Sequence, residues 1–371
     1  MKFPHLLAPY ELADLQLQNR VVLAPLTRGR ASAARVPNKL MEKYYLQRAE
    51  AGLLITEATS ISEQGIGWID NPGIYNEQQT QGWKSIVDAL HAQNSRVYVQ
   101  LWHCGRSSHS SFRKDESLGV APSALKIDNG EPVHAPVGKV PFEVPRALEI
   151  DEIPQVVEQY RAAAQRAKEA GFDGVEIHSA NGYLIDQFLQ TKTNKRTDKY
   201  GGTVENRSRF LKEIVEAVST VLPTNRIGVR ISPNGAYNDM GSVDNPETFR
   251  YVAEMLNKLD VGYLHVVDGL AFGFHGLTEP MTLADFRPLF KNTLMANCGY
   301  TAESADETIG KNLADLVAFG RPFISNPDLV SRFANGWKLA DPAPVELWSA
   351  PTEKGYTDFP TYEESVATAT K

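Results

Sequence analysis

Apolar runs of strand length recur along the chain, and each is followed by a polar or glycine-containing loop and then by a segment of helical periodicity. In segments such as TQGWKSIVDALHAQN and IPQVVEQYRAAAQRAKEAG, apolar residues recur three and four positions apart, a spacing typical of helices that bury one stripe against a sheet. Eight runs predict eight strands, at residues 21–26, 53–61, 96–102, 172–180, 226–233, 263–269, 293–299 and 316–324. Eight strand–helix units favour a closed parallel (β/α)8 TIM barrel of the α/β class over an open doubly wound sheet. No GxGxxG follows the first strand, which further disfavours a dinucleotide-binding sheet. We predict a single barrel domain over residues 1–371.

Two regions interrupt this repeat. Residues 103–150 contain several prolines and little helical periodicity, so we predict a long excursion after the third strand, with room for a short hairpin. A loop of this kind over the catalytic face of a barrel usually shapes a substrate pocket. The tail from Asn335 to Lys371 is rich in Pro, Thr and aromatic residues and should lie across the barrel surface.

Composition excludes several classes of partner. With 38 Lys and Arg against 45 Asp and Glu, the net charge is −7 and no basic patch stands out, so we expect no nucleic acid partner. Cys104 and Cys298 lie far apart, which predicts neither a disulfide framework nor a metal site and indicates a reducing cytoplasm. No apolar run approaches the roughly 18 residues of a membrane span, and the amino terminus lacks a signal-peptide pattern, so we expect no membrane partner.

The strongest candidate chemistry lies in the stretch VEIHSANGYLIDQFL, directly after the fourth predicted strand. His178, Asn181 and Tyr183 fall at the carboxyl end of that strand, where a barrel of this class builds its active site. An imidazole and an amide that converge on one point can polarise a carbonyl oxygen, and a phenol can deliver a proton. The set fits reduction of an activated alkene. A simpler interpretation, that HSAN only caps the following helix, stays open for the triplet alone.

Residues after the other strands also resemble a binding site. Arg230 lies inside an apolar strand, which implies an anionic or strongly accepting group at the barrel centre, unless it forms a salt bridge with Glu176. Gly320 and Arg321, with the segment from Cys298 through Gly299, have the makings of the phosphate site that barrels build after their last two strands. Together with Thr27 and Gln100, they suggest a ligand with a phosphate at one end and a flat polar heterocycle at the other, which describes flavin mononucleotide (FMN). The further candidates for contacts with this cofactor are Pro25, Leu26 and Ala58.

The chain resembles the Old Yellow Enzyme family of flavin-dependent ene-reductases, which is related to the plant 12-oxophytodienoate reductases. The resemblance rests on NRVVLAPLTR, TEAT, YVQLWHCGR, HSANGYLIDQFLQTKTNKRTDKYGGTVENRSRF, VRISP, AFGRPFISNPDL and GYTDFPTYEES, and it covers essentially the whole chain. It implies that His178 and Asn181 bind the substrate carbonyl and that Tyr183 donates the proton. It also implies flavin-ring contacts from Thr27, Ala58, Gln100 and Arg230, phosphate contacts from Gly299, Gly320 and Arg321, and a substrate pocket lined by Trp102 and Tyr237.

Two departures from the family pattern bear on this assignment. Cys298 stands where a glycine is common in the phosphate loop. Trp348 stands roughly where a tyrosine often lies over the flavin, and we include it among the substrate-binding residues.

The predicted function is that of an NADPH-dependent flavin oxidoreductase that acts on the C=C bond of α,β-unsaturated carbonyl compounds. Hydride would pass from non-covalently bound, reduced FMN to the β carbon, and a proton from Tyr183 to the α carbon, with NADH as an alternative reductant. The expected partner is a small activated alkene, and the expected assembly is a monomer or homodimer. Reduction of nitrate esters or nitroaromatics stays open as an alternative. A barrel aldolase or lyase is a weaker alternative, since no strand end carries a lysine or clustered carboxylates. A non-catalytic flavin binder is also weaker, since the acid and the carbonyl donors are intact.

Overall fold

Eight short parallel strands close into a barrel in the computed structural model, which describes residues 2–271, 273–349 and 351–369. In chain order, strands β1 to β8 are Val21–Leu23, Leu53–Ile55, Val97–Trp102, Gly174–Ser179, Ile227–Ile231, Tyr263–Val267, Thr293–Asn297 and Leu316–Phe319. Each strand pairs in parallel with the next, and β8 pairs back onto β1 with Val317 opposite Val21 and Phe319 opposite Leu23. The predicted (β/α)8 barrel is confirmed.

The strands are shorter than the apolar runs that predict them. The run at 53–61 gives β2 and a separate pair of residues, Thr59–Ser60, which adds to the end of β3. The prediction of strand through residue 324 is wrong, because β8 ends at Phe319 and a helix begins at Arg321. Pro322 lies in the first turn of that helix, where its missing N–H costs no hydrogen bond and its fixed φ suits the helical backbone.

Eleven helices flank the strands in the described part of the chain. Helices α1 to α11 are Lys39–Leu46, Glu77–His91, Ile153–Glu169, Leu184–Leu189, Val204–Ser219, Asn245–Lys258, Leu283–Phe286, Ala302–Gly310, Arg321–Ser325, Leu329–Asn335 and Tyr362–Ala369. The long helices bury their apolar stripe against the sheet, with Trp83 of α2 and Phe210 of α5 fully buried. No helix among the described residues is both long enough and apolar enough to cross a membrane.

An antiparallel hairpin near the amino terminus, formed by Tyr10–Leu12 and Leu15–Leu17, closes one end of the barrel. Its leucines pack in one cluster with inward-facing barrel residues that include Leu53, Tyr98 and Tyr263. These barrel residues lie at the amino ends of their strands. The amino-terminal end of the barrel is therefore a packed apolar floor, and the open end is the carboxyl one.

The predicted excursion between β3 and α3 is present and carries its own short strands. Val133–Ala135 and Gly138–Val140 form an antiparallel hairpin, while Val120–Ala121 pairs in parallel with Arg146–Ala147. The guanidinium of Arg106 anchors the segment, because it donates to the carbonyls of Leu125, Lys126, Asn238 and Asp239. The excursion is thereby fixed beside the loop that follows β5.

Candidate active site

Three aromatic side chains form one wall of a site at the carboxyl end of the barrel. Trp102 is the last residue of β3, His178 lies near the end of β4, and Tyr183 directly precedes α4. The ring centroid of Tyr183 lies 4.8 Å from that of Trp102 and 5.0 Å from that of His178, and both contacts are edge to face. Ala58 packs against Trp102 and Tyr183. All four residues are at most 6% exposed, so their polar atoms act in surroundings of low dielectric.

The turn that presents Asn181 and Tyr183 depends on its Asn-Gly sequence. Asn181 has φ 58° and Gly182 has φ 72°, the left-handed region that asparagine tolerates and glycine enters freely. A Cβ on Gly182 would also come within 2.6 Å of Met240 Cγ. Asn238 Nδ2 donates to the carbonyl of Asn181 at 2.9 Å and holds the turn from the other side.

Burial sets the protonation states of the imidazole and the phenol. Desolvation, together with the charges of Arg230 and His265, holds the pKa of His178 well below its ordinary value. Desolvation also raises the pKa of Tyr183 well above its ordinary value, and the neighbouring Tyr237 adds to the effect. At neutral pH, His178 is therefore an uncharged imidazole and Tyr183 an uncharged phenol that keeps its proton. Both are hydrogen-bond donors without a net charge.

A buried carboxylate organises the layer beneath this wall. Glu176 of β4 is fully buried and accepts hydrogen bonds from Gln100 Nε2 at 2.7 Å, Tyr263 Oη at 3.0 Å and His265 Nδ1 at 2.8 Å. Burial opposes its ionisation, but the charges of His265 and Arg230 and these hydrogen bonds hold the pKa of Glu176 below its ordinary value. The carboxylate only accepts, so it turns the amide nitrogen of Gln100 toward itself and leaves Gln100 Oε1 as a buried acceptor.

Arg230 of β5 lies opposite His178 and His265 in the strand register. Its Nη2 donates to Asn297 Oδ1 at 2.7 Å, so its hydrogen bond goes to the end of β7 and not to Glu176. Glu176 still acts on Arg230 through its charge, which offsets part of the decrease in the pKa of Arg230 caused by burial. Within the described chain, Arg230 Nε, Gln100 Oε1 and His178 Nδ1 are buried without a hydrogen-bond partner. Such groups are costly unless a ligand or water completes them.

The loops after β7 and β8 form the opposite end of the site. Cys298 and Gly299 both have positive φ, 87° and 89°, and no described atom lies within 4 Å of a Cβ built on Gly299. Cys298 therefore adopts the backbone conformation that favours glycine, at a cost of about 1–2 kcal/mol. A Cβ on Gly269 would lie 1.7 Å from the carbonyl oxygen of Cys298, so Gly269 permits this close approach. Sequence reasoning missed Gly269, although a glycine at the end of the apolar run that predicts β6 was the available signal.

Gly320 is the N-cap of the short helix α9 and lies beside Leu26, whose Cδ2 is 3.3 Å from the position of a Cβ on Gly320. Arg321 is exposed, and its guanidinium carbon lies 5.2 Å from the centroid of a Trp348 ring. The structure thus places Arg321 and Trp348 side by side, although they are 27 residues apart in sequence.

Two buried arginines hold the segment that carries Trp348. Arg28 Nε and Arg30 Nη1 donate to the carbonyl of Trp348 at 2.7 and 2.8 Å, and further bonds reach Leu347 and Gly355. Sequence reasoning missed both arginines, although two arginines in TRGR, directly after an apolar strand, were a usable signal. They connect the end of β1 to the carboxyl-terminal segment.

The remaining predicted residues lie in the same region. Pro25 is buried and Thr27 half-buried directly after β1. Tyr237 is 40% exposed and follows β5, where its carbonyl lies 3.0 Å from the position of a Cβ on Gly182.

Cys104 and Cys298 are free thiols. Among the residues that the structure describes, no group of three or more His, Cys, Asp or Glu side chains is placed to hold a metal ion.

Comparison with known proteins gives one consistent result. Residues 5–340 match the model of the NADH:flavin oxidoreductase / NADH oxidase family. The chain is 43% identical to putative 12-oxophytodienoate reductase 11 of Oryza sativa subsp. japonica over 96% of this chain and 97% of that protein. It is 39% identical to 12-oxophytodienoate reductase 2 of Arabidopsis thaliana over 97% and 96% of the two chains.

Solved structures agree. The Old Yellow Enzyme homologue from Zymomonas mobilis superposes with a TM-score of 0.92 at 42% identity, over 96% of this chain and 99% of that one. Morphinone reductase in complex with tetrahydroNAD superposes with a TM-score of 0.91 at 44% identity, over 98% and 99%. The chain, with its eight-stranded barrel and its polar carboxyl end, belongs to the NADH:flavin oxidoreductase / NADH oxidase family, that of the Old Yellow Enzyme and its homologues.

Proposed function

We propose that this protein is an FMN-dependent ene-reductase that reduces the C=C bond of α,β-unsaturated carbonyl compounds with electrons from NADPH. One observation carries the proposal. An uncharged imidazole and a protonated phenol stand together at the carboxyl end of the barrel, Asn181 lies in the same turn as the phenol, and buried polar atoms of Gln100 and Arg230 lack partners among the described residues.

The residues beneath the wall fit a flavin. Gln100 Oε1 offers a buried acceptor and Arg230 a buried cationic donor, which suits a flat ring whose edge carries both N–H and C=O groups. Thr27 and Ala58 would contact the same ring. Gly299, Gly320 and Arg321 would hold the phosphate, because exposed backbone N–H groups and a guanidinium are its usual ligands. When bound and reduced, the flavin supplies the hydride, while the protein orients it and tunes its electronics.

The side chains of the wall divide the remaining work. His178 and Asn181 would donate hydrogen bonds to the substrate carbonyl oxygen and stabilise the negative charge that develops on it, an effect of about 3–4 kcal/mol for a well-placed donor. Because His178 is uncharged, it polarises the carbonyl without giving up its proton. Tyr183 would protonate the α carbon, and its raised pKa keeps the proton available at every physiological pH.

The proposal extends to the setting of the enzyme. We infer a cytoplasmic protein that acts on small activated alkenes as a monomer or homodimer. Its two cysteines are free thiols, as a reducing compartment would keep them.

The test is anaerobic reduction of the purified holoprotein, with NADPH and NADH in parallel, followed by mixing with 2-cyclohexen-1-one, an unsaturated aldehyde and a nitrate ester. We expect FMN to be released on denaturation, NADPH to reduce it faster than NADH does, and the enones to reoxidise it. Released FAD, a colourless protein that FMN cannot reconstitute, or reoxidation by the nitrate ester alone would each contradict the proposal. Faster reduction by NADH would reverse only the choice of dinucleotide.

The double variant His178→Ala/Asn181→Ala tests the carbonyl site directly. It should lose enone reduction and enone binding together, since the same donors hold the ground state and the transition state. His91→Ala is the matched control, because it removes an imidazole at the end of α2 whose hydrogen bond goes to Asp173 and leaves the carbonyl donors unchanged. Equal losses in the double variant and the control would contradict the assignment.

A further inference from the structure

A second buried carboxyl lies directly behind the turn that carries Asn181 and Tyr183. Asp186, in the first turn of α4, is 1% exposed. Its Oδ2 accepts from the backbone N–H of Gly182 at 2.8 Å, and its Oδ1 accepts from Gln190 Nε2 at 2.9 Å. The hydroxyl of Ser232 also hydrogen-bonds to this carboxyl.

Each of these neighbours offers a hydrogen to Asp186. Gln190 cannot turn its amide around, because its Oε1 already accepts from the backbone N–H of Gly241 at 2.9 Å. Ser232 Oγ accepts from the backbone N–H of Asn181 at 2.7 Å, so its own hydrogen points to the carboxyl. Three donors therefore converge on one group, and an ionised carboxylate accepts from all of them without a hydrogen of its own to place.

Two of these bonds end on the strained part of the turn. Asn181 and Gly182 have successive positive φ values of 58° and 72°; glycine enters this region freely, but Asn181 adopts it at a cost that its surroundings must offset. Asp186 holds the N–H of Gly182 directly and the N–H of Asn181 through Ser232. These are the backbone groups on which the position of the Asn181 amide and the Tyr183 phenol depends.

We propose that Asp186 is a positioning residue whose carboxylate holds the Asn181–Gly182–Tyr183 turn in place, so that its protonation loosens the carbonyl-binding amide and the proton-donating phenol. The inference rests on the proposed function for the roles of Asn181 and Tyr183. The hydrogen bonds and the protonation of Asp186 itself do not depend on that function.

The surroundings of Asp186 place its titration in the working range. Burial raises the pKa of Asp186 to about 7, against the hydrogen bonds from Gly182, Gln190 and Ser232 and the charge of Arg106, which all favour ionisation. Arg106 faces Asp186 from the excursion after β3 and feels the charges of both Asp186 and Asp239. Protonation would convert one acceptor oxygen of Asp186 into a donor that faces other donors, and the turn would lose a hydrogen bond.

The experiment compares the wild-type holoenzyme with Asp186→Asn and Ser232→Ala across pH 5 to 9. Asp268→Asn is the matched control, since burial also raises the pKa of Asp268, to about 6. Asp268 follows β6, and its carboxyl accepts from the hydroxyl of Tyr300 and the backbone N–H of Asn297. Flavin reduction by NADPH and reoxidation by 2-cyclohexen-1-one are followed separately. Infrared difference spectra record the carboxylic acid band of the protonated side chain.

We expect the reoxidation rate of the wild-type enzyme to rise with an inflection near pH 7. Asp186→Asn should remove that inflection and slow reoxidation by ~10- to 100-fold, the scale of a sub-ångström misplacement of reacting groups. Ser232→Ala should slow reoxidation but keep the inflection, because the carboxyl remains. Asp268→Asn should keep the inflection, whatever its effect on the rate, because its carboxyl bonds to the end of β7 and the loop after it and not to the Asn181–Gly182 turn. A pH profile that is the same in the wild type and Asp186→Asn, or an inflection that is lost only in Asp268→Asn, would overturn the inference.

Two readouts keep the inference separate from the proposed function. If no enone reoxidises the wild-type enzyme, the proposed function fails. The infrared band and the hydrogen exchange of the Gly182 amide still decide the role of Asp186. The band should titrate near pH 7 in the wild type and Ser232→Ala, and the amide should exchange faster below that pH. The inference is overturned if the carboxylic acid band of the wild type does not titrate between pH 5 and 9, or if the exchange rate of the Gly182 amide does not change with that titration. Both results can be obtained even if Asp186→Asn fails to fold.

Discussion

Replacing Arg230 with leucine removes a buried cation from the layer on which the proposed cofactor rests. The guanidinium is 5% exposed, bonds to Asn297 and leaves Nε without a partner among the described residues. Its charge also lowers the pKa of Glu176, His178 and His265. The substitution therefore acts on ligand binding and on three titratable neighbours together.

The size of the binding effect follows from the lost hydrogen bond. A hydrogen bond from a charged donor in a buried site contributes about 1.5–3 kcal/mol. At 1.4 kcal/mol for each factor of ten, Arg230→Leu should raise the Kd for FMN by roughly 10- to 150-fold. The reduction potential of bound FMN should fall, because the cation no longer stabilises the added electron density. The pKa of His178 should rise toward its ordinary value, so enone turnover should become more sensitive to acid than in the wild type.

The assay is titration of the apoprotein with FMN by fluorescence quenching, followed by potentiometry of the reconstituted enzyme. Arg230→Lys is the matched control, since it keeps the charge and loses the planar guanidinium. Its Kd for FMN and its reduction potential should lie between those of Arg230→Leu and the wild type. If Arg230→Leu binds FMN as tightly as the wild type with an unchanged potential, Arg230 serves only its contact with Asn297, and the argument for a flavin at this layer fails.

Three further predictions follow from single residues. Tyr183→Phe should leave flavin reduction by NADPH intact and slow enone reduction by roughly 10²- to 10⁴-fold; equal losses in both half-reactions by stopped flow would show that the phenol is not the acid. Gly299→Ala should lower the free energy of unfolding by about 1–2 kcal/mol in urea melts through backbone strain alone, since its Cβ meets no described atom within 4 Å; no change would mean that the loop relaxes. The folded-state pKa of Asp186, about 7 against an ordinary 3.8, means that its contribution to stability is present below about pH 4 and is lost as the pH rises to 7. Asp186→Asn should therefore gain stability relative to the wild type between pH 5 and 8, and a pH-independent difference would refute that titration.

The sequence allowed the barrel and the place of its site to be predicted because both depend on local patterns. Apolar runs with helical segments between them predict parallel strands, and polar residues directly after those runs must then meet at one end of the barrel. The strand ends could not be placed, because residues such as those at 321–324 continue an apolar run while the backbone has already turned into a helix. At such junctions, the apolar pattern predicts which residues are buried more reliably than whether they form a strand or a helix.

Contacts between distant segments were beyond prediction. Arg28 and Trp348 are 320 residues apart in sequence, and Glu176 meets its partners on two other strands, β3 and β6. The donors around Asp186 are Gly182 and Gln190, which flank α4, and Ser232, which directly follows β5. A single sequence shows that each of these residues is polar and close to an apolar run, but not which residue it meets after folding.

The pairing of β8 with β1 has a consequence for the order of assembly. The first strand gains its second neighbour only when Leu316–Phe319 has been synthesised, so until then it presents an unpaired edge. Leu26 and Gly320 lie on the two sides of this seam, next to Arg321. A ligand held there contacts both the first and the last strand of the barrel to be synthesised. Its binding free energy therefore stabilises the pairing of β8 with β1, which is the last to form. Apoprotein should then open first at this seam, so loss of the proposed cofactor should shorten the lifetime of the folded chain.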